Sequence, residues 1–331
     1  MKLGIAGSGK IVHEFLSHAD GIQDLSIDAV WGREKSIGKL CLLADEYKIG
    51  EVYTDYDRML SSDIDTVYVA LPNHLHYAYA KRALEAGKNV ILEKPFTLTR
   101  ESGEALFDAA EKAKVYLYEA ITNQYAPDYE KIHRLLPKLG NIRMVQGNYS
   151  QYSSRYDNFR NGKMLPAFDP AAGGGALGDI NIYNIHMTVG LFGEPEETMY
   201  YPNIQKGSDT SGVLVLRYPE FTAVLTGAKD SESEPFYIIQ GEDGDIHQRT
   251  TPGTCGAFDI TLRDGWNQRY DLAGDTFRML HEWRVFASEG TRNFPLYHRM
   301  KDHTLTVLSV VDAARASCGI LPADEPDPFE V

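Results

Sequence analysis

Cationic side chains are in short supply. Lysine and arginine together number 33 against 47 aspartates and glutamates, which leaves a formal net charge of -14 and a pI of about 5.2. Nucleic acid and anionic membrane surfaces are held by basic footprints, so a chain this acidic argues against both as partners. An anionic cofactor stays open, because one local site can be positive on a negative protein. Cysteine is scarce too: Cys41, Cys255 and Cys318 are odd in number, far apart and without a CxxC pair. They exclude a disulfide framework and a zinc site and fit a reducing cytoplasm. Long apolar runs are missing. The opening "MKLGIAGSGKIV" holds a short apolar piece broken by glycines, which is expected to be neither a signal peptide nor a membrane span. There is no internal repeat and no low-complexity segment. What is present is ordinary globular material, 331 residues with 43% hydrophobic and 24% charged side chains, enough for two domains with sizeable cores.

The first third alternates short apolar runs with helical periodicity. Strands are expected at 3–6, 25–31, 51–53, 66–71, 89–92 and 115–118, and helices at 10–18, 35–47, 56–60, 74–86 and 100–114. Such alternation implies parallel strands joined by right-handed crossovers, a doubly wound α/β domain over residues 1–122. Gly87 stops one helix and Thr99 caps the next. Beyond residue 122 the pattern changes. A helix at 128–136, a strand at 143–152, an irregular stretch with "AFDPAAGGGALGD" and a helix at 179–192 lead into successive strands with turn signals from 198 to 272. Helices at 276–288 and 296–318 follow. Residues 123–331 therefore read as an α+β domain with a large, mainly antiparallel sheet. The tail "LPADEPDPFEV" is expected to be frayed or draped on the surface.

"KLGIAGSGKIVHEFL" reads as strand, glycine turn and helix. Gly7 and Gly9 occupy the first two positions of a GxGxxG fingerprint, which allow a tight turn and close approach of a pyrophosphate to the helix start. Val12 holds the third position, so the helix approaches the strand less closely. Ser8, Lys10 and Ile11 complete this candidate phosphate cradle. At the end of the second strand Gly32 and Arg33 stand where an acid would select NAD. Arg33 can stack on adenine and pair the extra phosphate of NADP, although Glu34 beside it works against this. The reading is NADP preferred, with NAD the alternative. Leu71, Pro72, Asn73 and His76 lie at the carboxyl edge of the fourth strand, where such sheets bind ligands. His74 and His76, two apart, do not share a helix face, and no metal site is expected.

"VILEKP" ends a buried apolar run on Glu93 and Lys94 and then locks the backbone with Pro95, which cannot continue a central strand. Together with the glycine turn, "ALPNHLHYAYAKRALEAGKNVILEKP" and "GGGALGDINIY" resemble the Gfo/Idh/MocA oxidoreductases, the glucose–fructose oxidoreductase and inositol dehydrogenase group. The resemblance spans nearly the whole chain. It implies an N-terminal NAD(P)-binding Rossmann domain and a C-terminal domain with a large open sheet used for substrate binding and dimerisation. It further implies that Lys94 is the active-site lysine, Asp179 its charged partner, and the residue four beyond Asp179 the proton-transfer group. Many members of the family carry histidine there; here it is Tyr183, which resembles the branch containing dimeric dihydrodiol dehydrogenases and glucose–fructose oxidoreductase. Asn181 replaces a usual glycine, a departure that could narrow the pocket.

Asp179, Tyr183 and His186 fall at i, i+4 and i+7 on one helix face. Oxidising an alcohol takes a hydride from carbon and a proton from oxygen; the cofactor takes the first and the protein the second. Free tyrosine and lysine have pKa values of about 10, so a neighbouring ammonium and a cationic nicotinamide must lower that of Tyr183. Tyr183 then exchanges the proton, Lys94 steadies the substrate oxygen and Asp179 orients Lys94, with Glu93 and Lys94 also bordering the cofactor. The roles of Lys94 and Tyr183 remain exchangeable at this stage. A cis Lys94–Pro95 bond would aim the ammonium. Arg160 reaches cofactor or substrate, or is a solvated loop residue. His186 reads as a hydrogen-bonded helix histidine. Tyr125, Tyr149, Tyr152, Tyr156 and Tyr183 suit polyhydroxylated rings. The expected enzyme is an NAD(P)-dependent dehydrogenase or reductase of a secondary alcohol or carbonyl in a sugar-like, polyol or cyclic diol substrate, working as a homodimer or dimer of dimers. A non-catalytic NAD(P)-binding sensor, a glycoside hydrolase using NAD as a redox shuttle, and a Schiff-base aldolase are the alternatives.

Overall fold

The computed structural model describes residues 1–288, 290 and 293–329. The first third builds β1 (Lys2–Ala6), α1 (Lys10–Leu16), β2 (Ser26–Trp31), α2 (Ile37–Tyr47), β3 (Glu51–Tyr53), α3 (Tyr56–Leu60), β4 (Thr66–Val69), α4 (His76–Glu85), β5 (Asn89–Glu93), α5 (Arg100–Ala113) and β6 (Leu117–Ala120). All six strands pair in parallel in the order β3-β2-β1-β4-β5-β6. The near-continuous apolar runs of β1, β4 and β5 follow from burial on both faces of such a sheet. Local signals act as expected: the Thr99 hydroxyl accepts from the backbone N–H of Ser102 at 3.2 Å, and Gly87 takes φ +75° just past α4.

The chain continues through α6 (Pro127–Leu135), β7 (Ile142–Ser150), α7 (Tyr156–Arg160) and α8 (Ile182–Phe192). Then come β8 (Glu197–Gln205), β9 (Ser208–Arg217), β10 (Thr222–Ala228), β11 (Phe236–Gly241), β12 (Gly244–Gln248), β13 (Phe258–Leu262) and β14 (Asn267–Tyr270), followed by α9 (Met279–Ser288) and α10 (Phe294–Cys318). The second sheet runs β14-β13-β12-β11-β7-β10-β9-β8 and is antiparallel except for the β7–β10 pair. Its two faces differ by strict alternation. Tyr200, Leu214, Leu225, Tyr237 and Phe258 lie on the buried face, beneath α8. Gly147 of β7 shares that row, and a Cβ there would come within 2.6 Å of Asn184 of α8, so glycine is what lets the helix approach. The opposite face carries Met199, Val215, Val224, Gln146 and Ile238 in register and stays partly exposed.

Packing divides the chain into two compact units. One holds Met1–Ala120, Glu282–Thr304 and Glu325–Val331; the other holds Ile121–His281 and Leu305–Asp324. Two late segments join the first unit for visible reasons. Trp283, fully buried, stacks on Phe15 at 4.0 Å and meets Tyr68 edge-on. The Glu325 carboxylate accepts from the backbone N–H of Leu98 at 3.0 Å and from the Ser102 hydroxyl, and Phe329 packs on Tyr56 and Tyr79. The acidic tail is thus draped and anchored at least to Phe329.

Candidate active site

In the first unit the glycine turn is dictated by sterics. Gly7 has φ +127°, and a Cβ there would meet the carbonyl oxygen of Ala70 at 2.4 Å, so only glycine lets β1 pass this close to the end of β4. Gly9 then caps α1 without a side-chain hydrogen bond, and a Cβ on it would meet nothing within 4 Å. The Gly9 carbonyl accepts from the N–H groups of Val12 and His13 at 3.1 and 3.3 Å, and the open space at Gly9 beside the start of α1 suits the pyrophosphate of a dinucleotide. Ser8, Lys10 and Ile11 border that space in sequence, while Val12 is fully buried, consistent with its departure from glycine. Gly32 is packed against Leu40 just past β2, and Arg33 is exposed. Its charge reaches the Tyr79 phenol, whose pKa burial raises and Arg33 pulls back down.

Leu71, Pro72 and Asn73 stand partly exposed at the carboxyl end of β4. His76 does not join them as a cofactor contact. It is fully buried, its Nδ1 lies 2.9 Å from the Pro95 carbonyl oxygen and its Nε2 2.8 Å from that of Leu71, so it braces the two loops from behind. Burial first, with the Lys94 ammonium adding to it, lowers its pKa against the backbone hydrogen bonds. The Lys94–Pro95 bond is cis, and Lys94 is partly exposed directly after β5. Glu93 faces inward, only 8% exposed, and accepts from the Tyr68 hydroxyl; it belongs to the interior and not to the cofactor surface. Glu119 on β6 accepts from the backbone N–H of Phe96 and from the Thr304 hydroxyl. The lysine turn is therefore pinned on both sides by buried polar groups.

The second unit carries Asp179 and Tyr183. Residues Leu177–Asn181 form a single π-helical turn leading into α8, a local widening often found at functional sites. The Tyr183 ring lies 5.7 Å from that of Tyr149, and a Cβ on Gly253 would come within 3.1 Å of it, so the ring is wedged in place. Its backbone carbonyl accepts from Asn123 Nδ2 at 3.0 Å. Tyr149 also lines a cavity of about 360 Å³ with Ser150, Gln151, Glu232, Glu234 and Thr251. Asn181 is fully buried, donates to the Leu225 carbonyl, accepts from Asn184 and packs on Gly227, where a Cβ would not fit. His186 is fully buried on the same helix. Of the other tyrosines, Tyr156 packs in a cluster with Phe159 and Phe168, and Tyr152 is turned outward to Asp157. Arg160 is a solvated neighbour of Asp157, its side chain 64% exposed.

Asp179 has a partner that motif reading missed. Lys229, 2% exposed, places Nζ 2.6 Å from Asp179 Oδ2. A detectable signal existed: Lys229 follows the buried run of β10 in "TAVLTGAK" just as Lys94 follows β5. Behind them sits Asp209, nearly buried, which accepts from the Leu177 N–H at 2.8 Å and from the Tyr200 hydroxyl at 2.9 Å. Burial raises the Asp209 pKa, against those hydrogen bonds and the charge of Lys229. Among the described residues no cluster of His, Cys, Asp and Glu could hold a metal ion, and no helix is long and apolar enough to cross a membrane.

Residues 1–120 match the family model described as an oxidoreductase family with an NAD-binding Rossmann fold, and residues 129–247 match the C-terminal domain of the same family. The chain belongs to the Gfo/Idh/MocA oxidoreductase family. It is 33% identical to the scyllo-inositol 2-dehydrogenase (NADP(+)) of Bacillus subtilis over 98% of this chain and 99% of that protein. An uncharacterized oxidoreductase of Escherichia coli, YgjR, is 32% identical over 98% of each. Among solved structures, a 3-ketoreductase from Actinomadura kijaniata superposes with a TM-score of 0.80 at 23% identity, covering 96% of this chain and 97% of that one, which supports the fold. As a Gfo/Idh/MocA member the protein is an NAD(P)-dependent oxidoreductase acting on alcohol or carbonyl groups, with the dinucleotide cradle at the Gly7–Gly9 turn fitting that cofactor.

Proposed function

We propose that the protein is an NADP-preferring dehydrogenase or reductase of a polyhydroxylated ring, a cyclitol or sugar, acting as a homodimer in the reducing cytoplasm. One observation carries the reading. On a single parallel sheet the carboxyl end of β1 opens into space at Gly9, and the carboxyl end of β5 presents Lys94 on a turn fixed by His76 and Glu119. A cofactor cradle and a fixed ammonium thus share one sheet edge, the edge where doubly wound sheets bind ligands. The NADP preference is supported by exposed Arg33 and by similarity to an NADP-dependent scyllo-inositol dehydrogenase. The polyol class is supported by that relative and by the polar cavity beside Tyr149. The half-exposed apolar row of the second sheet supports the dimer, and the three free cysteines support the compartment. The first unit is assigned to the cofactor, and the second to substrate binding and self-association.

When bound, the nicotinamide gives or accepts the hydride. Tyr183 gives or takes the proton through its phenol oxygen, and the rigid packing of its ring fixes where that oxygen points. Lys94 donates a hydrogen bond to the reacting oxygen and steadies the negative charge that develops there. Asp179 supplies a fixed carboxylate that orients donors around it. The test is a panel of inositols, aldoses and cyclic diols, read by absorbance of the reduced cofactor, with Lys94→Ala run beside the wild type. Turnover of at least one cyclic polyol with NADP is expected. The variant should lose turnover and keep cofactor affinity within about tenfold, roughly 1.4 kcal/mol. Undiminished turnover by Lys94→Ala, or no hydride transfer from any member of the panel to the cofactor, defeats the assignment.

A further inference from the structure

Lys229 is the most deeply buried lysine or arginine of the second unit, and the reaction scheme above leaves it without a task. Its backbone N–H donates to the Thr210 carbonyl at 2.9 Å, which fixes the end of β10 against β9. Its ammonium donates to the Ala167 carbonyl, lies 4.4 Å over the Phe168 ring and pairs with Asp179 at 2.6 Å. An ammonium 2% exposed is costly unless neutralised, so the pair is constrained from the lysine side. The carboxylate is not buried to the same degree: the Asp179 side chain is 34% exposed. A buried cation therefore backs a half-open anion, and the anion sits four residues before Tyr183 in the π-helical turn.

Other charged and titratable groups pack around this pair. From β9, Asp209 attracts Lys229 and holds the N–H of Leu177 at the start of the turn. From β8, Tyr200 donates to Asp209. From α10, the Arg315 guanidinium comes within 3.8 Å of where a Cβ on Gly178 would lie. Tyr183, partly exposed, and His186, fully buried, follow on α8. The segment carrying Ala167 and Phe168 offers a carbonyl and an aromatic face, neither of which titrates. Lys229 thus stands between two carboxylates with unequal surroundings, Asp209 hydrogen-bonded in the interior and Asp179 with a side chain 34% exposed.

We propose that Lys229 is a positioning residue for the reaction, keeping Asp179 ionised and turning its carboxylate to the open side, where it holds a substrate hydroxyl or an ammonium. The proposal rests on the reading of Asp179 as part of the reacting constellation. An opposing charge at this distance holds a carboxylate in its ionised form, and removing it raises the pKa, by roughly one unit or more. If activity needs ionised Asp179, activity falls as pH drops through that pKa, so loss of Lys229 moves the acid limb of the rate profile upward.

The experiment is the pH profile of kcat/KM for the full-length protein, with Lys229→Met, Lys229→Arg and Asp179→Asn compared with wild type on one polyol and NADP. Lys229→Met is expected to move the acid limb up by about one pH unit or more, Lys229→Arg to return it, and Asp179→Asn to lose both rate and limb. An acid limb left at its wild-type position in Lys229→Met, with Asp179→Asn impaired, overturns the Lys229 proposal alone. Full activity of Asp179→Asn overturns the reading of Asp179 itself. Should Lys229→Met fail to fold, nitrogen-15 resonances of labelled lysine in wild type and Asp179→Asn decide: the Lys229 ammonium should titrate at lower pH in Asp179→Asn, and an unmoved titration overturns the pairing.

Discussion

Of the single residues proposed for the site, Arg33 has the simplest test. It stands exposed directly after Gly32 at the end of β2, the position whose chemistry decides between a ribose hydroxyl and a ribose phosphate. A guanidinium pairs a phosphate with two parallel hydrogen bonds and has no comparable bond to offer a hydroxyl. Arg33→Ala is therefore expected to weaken NADP by about tenfold or more while changing NAD by less than about threefold, measured by fluorescence titration of each reduced cofactor. Equal losses for the two would remove Arg33 from the site. The place of Lys94 at the end of a buried strand was readable from sequence because an apolar strand, two charges and a proline meet in six residues. Lys229 was not, although it too follows a buried strand, because its partner Asp179 lies 50 residues away and only folding brings the two together. His76 shows the opposite failure: its place at a strand edge was foreseen, but its burial depends on carbonyls contributed by two separate loops.

Elements set the geometry that these residues need. The first sheet was legible strand by strand, since burial on both faces leaves a continuous apolar run and each crossover helix has its own periodicity. The π-helical turn at Leu177–Asn181 was split by the sequence reading, Leu177 and Gly178 falling in an irregular lead-in and the helix starting at Asp179, because the widening goes with a tertiary contact and not with local propensity. That contact is the Asp209 carboxylate, which takes the Leu177 N–H and crowds Gly175. Gly175 has φ +138°, and a Cβ on it would lie 1.9 Å from Asp209 Oδ1. Gly175→Ala must therefore adopt a backbone conformation that L residues avoid and also push the acid from its seat. A loss of about 2–4 kcal/mol in urea unfolding is expected, together with a fall in kcat, since the turn carries Asp179. A variant with wild-type stability and wild-type kcat would show that the glycine is incidental. The strand-rich second half was legible as antiparallel hairpins. The parallel β7–β10 pair was not, since it joins strands about 70 residues apart whose pairing no turn signal announces.

At the scale of the whole molecule, a protein with net charge -14 has to keep copies of itself apart unless some surface specifically joins them. The proposed dimer assigns that role to the second sheet. In one register row across five strands lie Met199, Val215, Val224, Gln146 and Ile238, and the neighbouring row adds Tyr201 and Val213. Met199 is 43% and Tyr201 60% exposed, whereas the alternate residues of the same strands are buried under α8. The same row continues through His247, Asp259 and Arg269, so an apolar half grades into a charged half. A face of this composition can meet its own copy about a two-fold axis, apolar centre on apolar centre with charged rims at either side. Val224 lies mid-row, flanked by Gln146 and Val215, and a carboxylate there would face its symmetry mate in a dry interface. Val224→Glu is therefore expected to convert a dimer into a monomer at micromolar concentration in sedimentation equilibrium, with the far-ultraviolet circular dichroism unchanged because the side chain lies outside the core. A wild-type chain that sediments as a monomer, or a Val224→Glu variant that remains dimeric, would place self-association on some other surface.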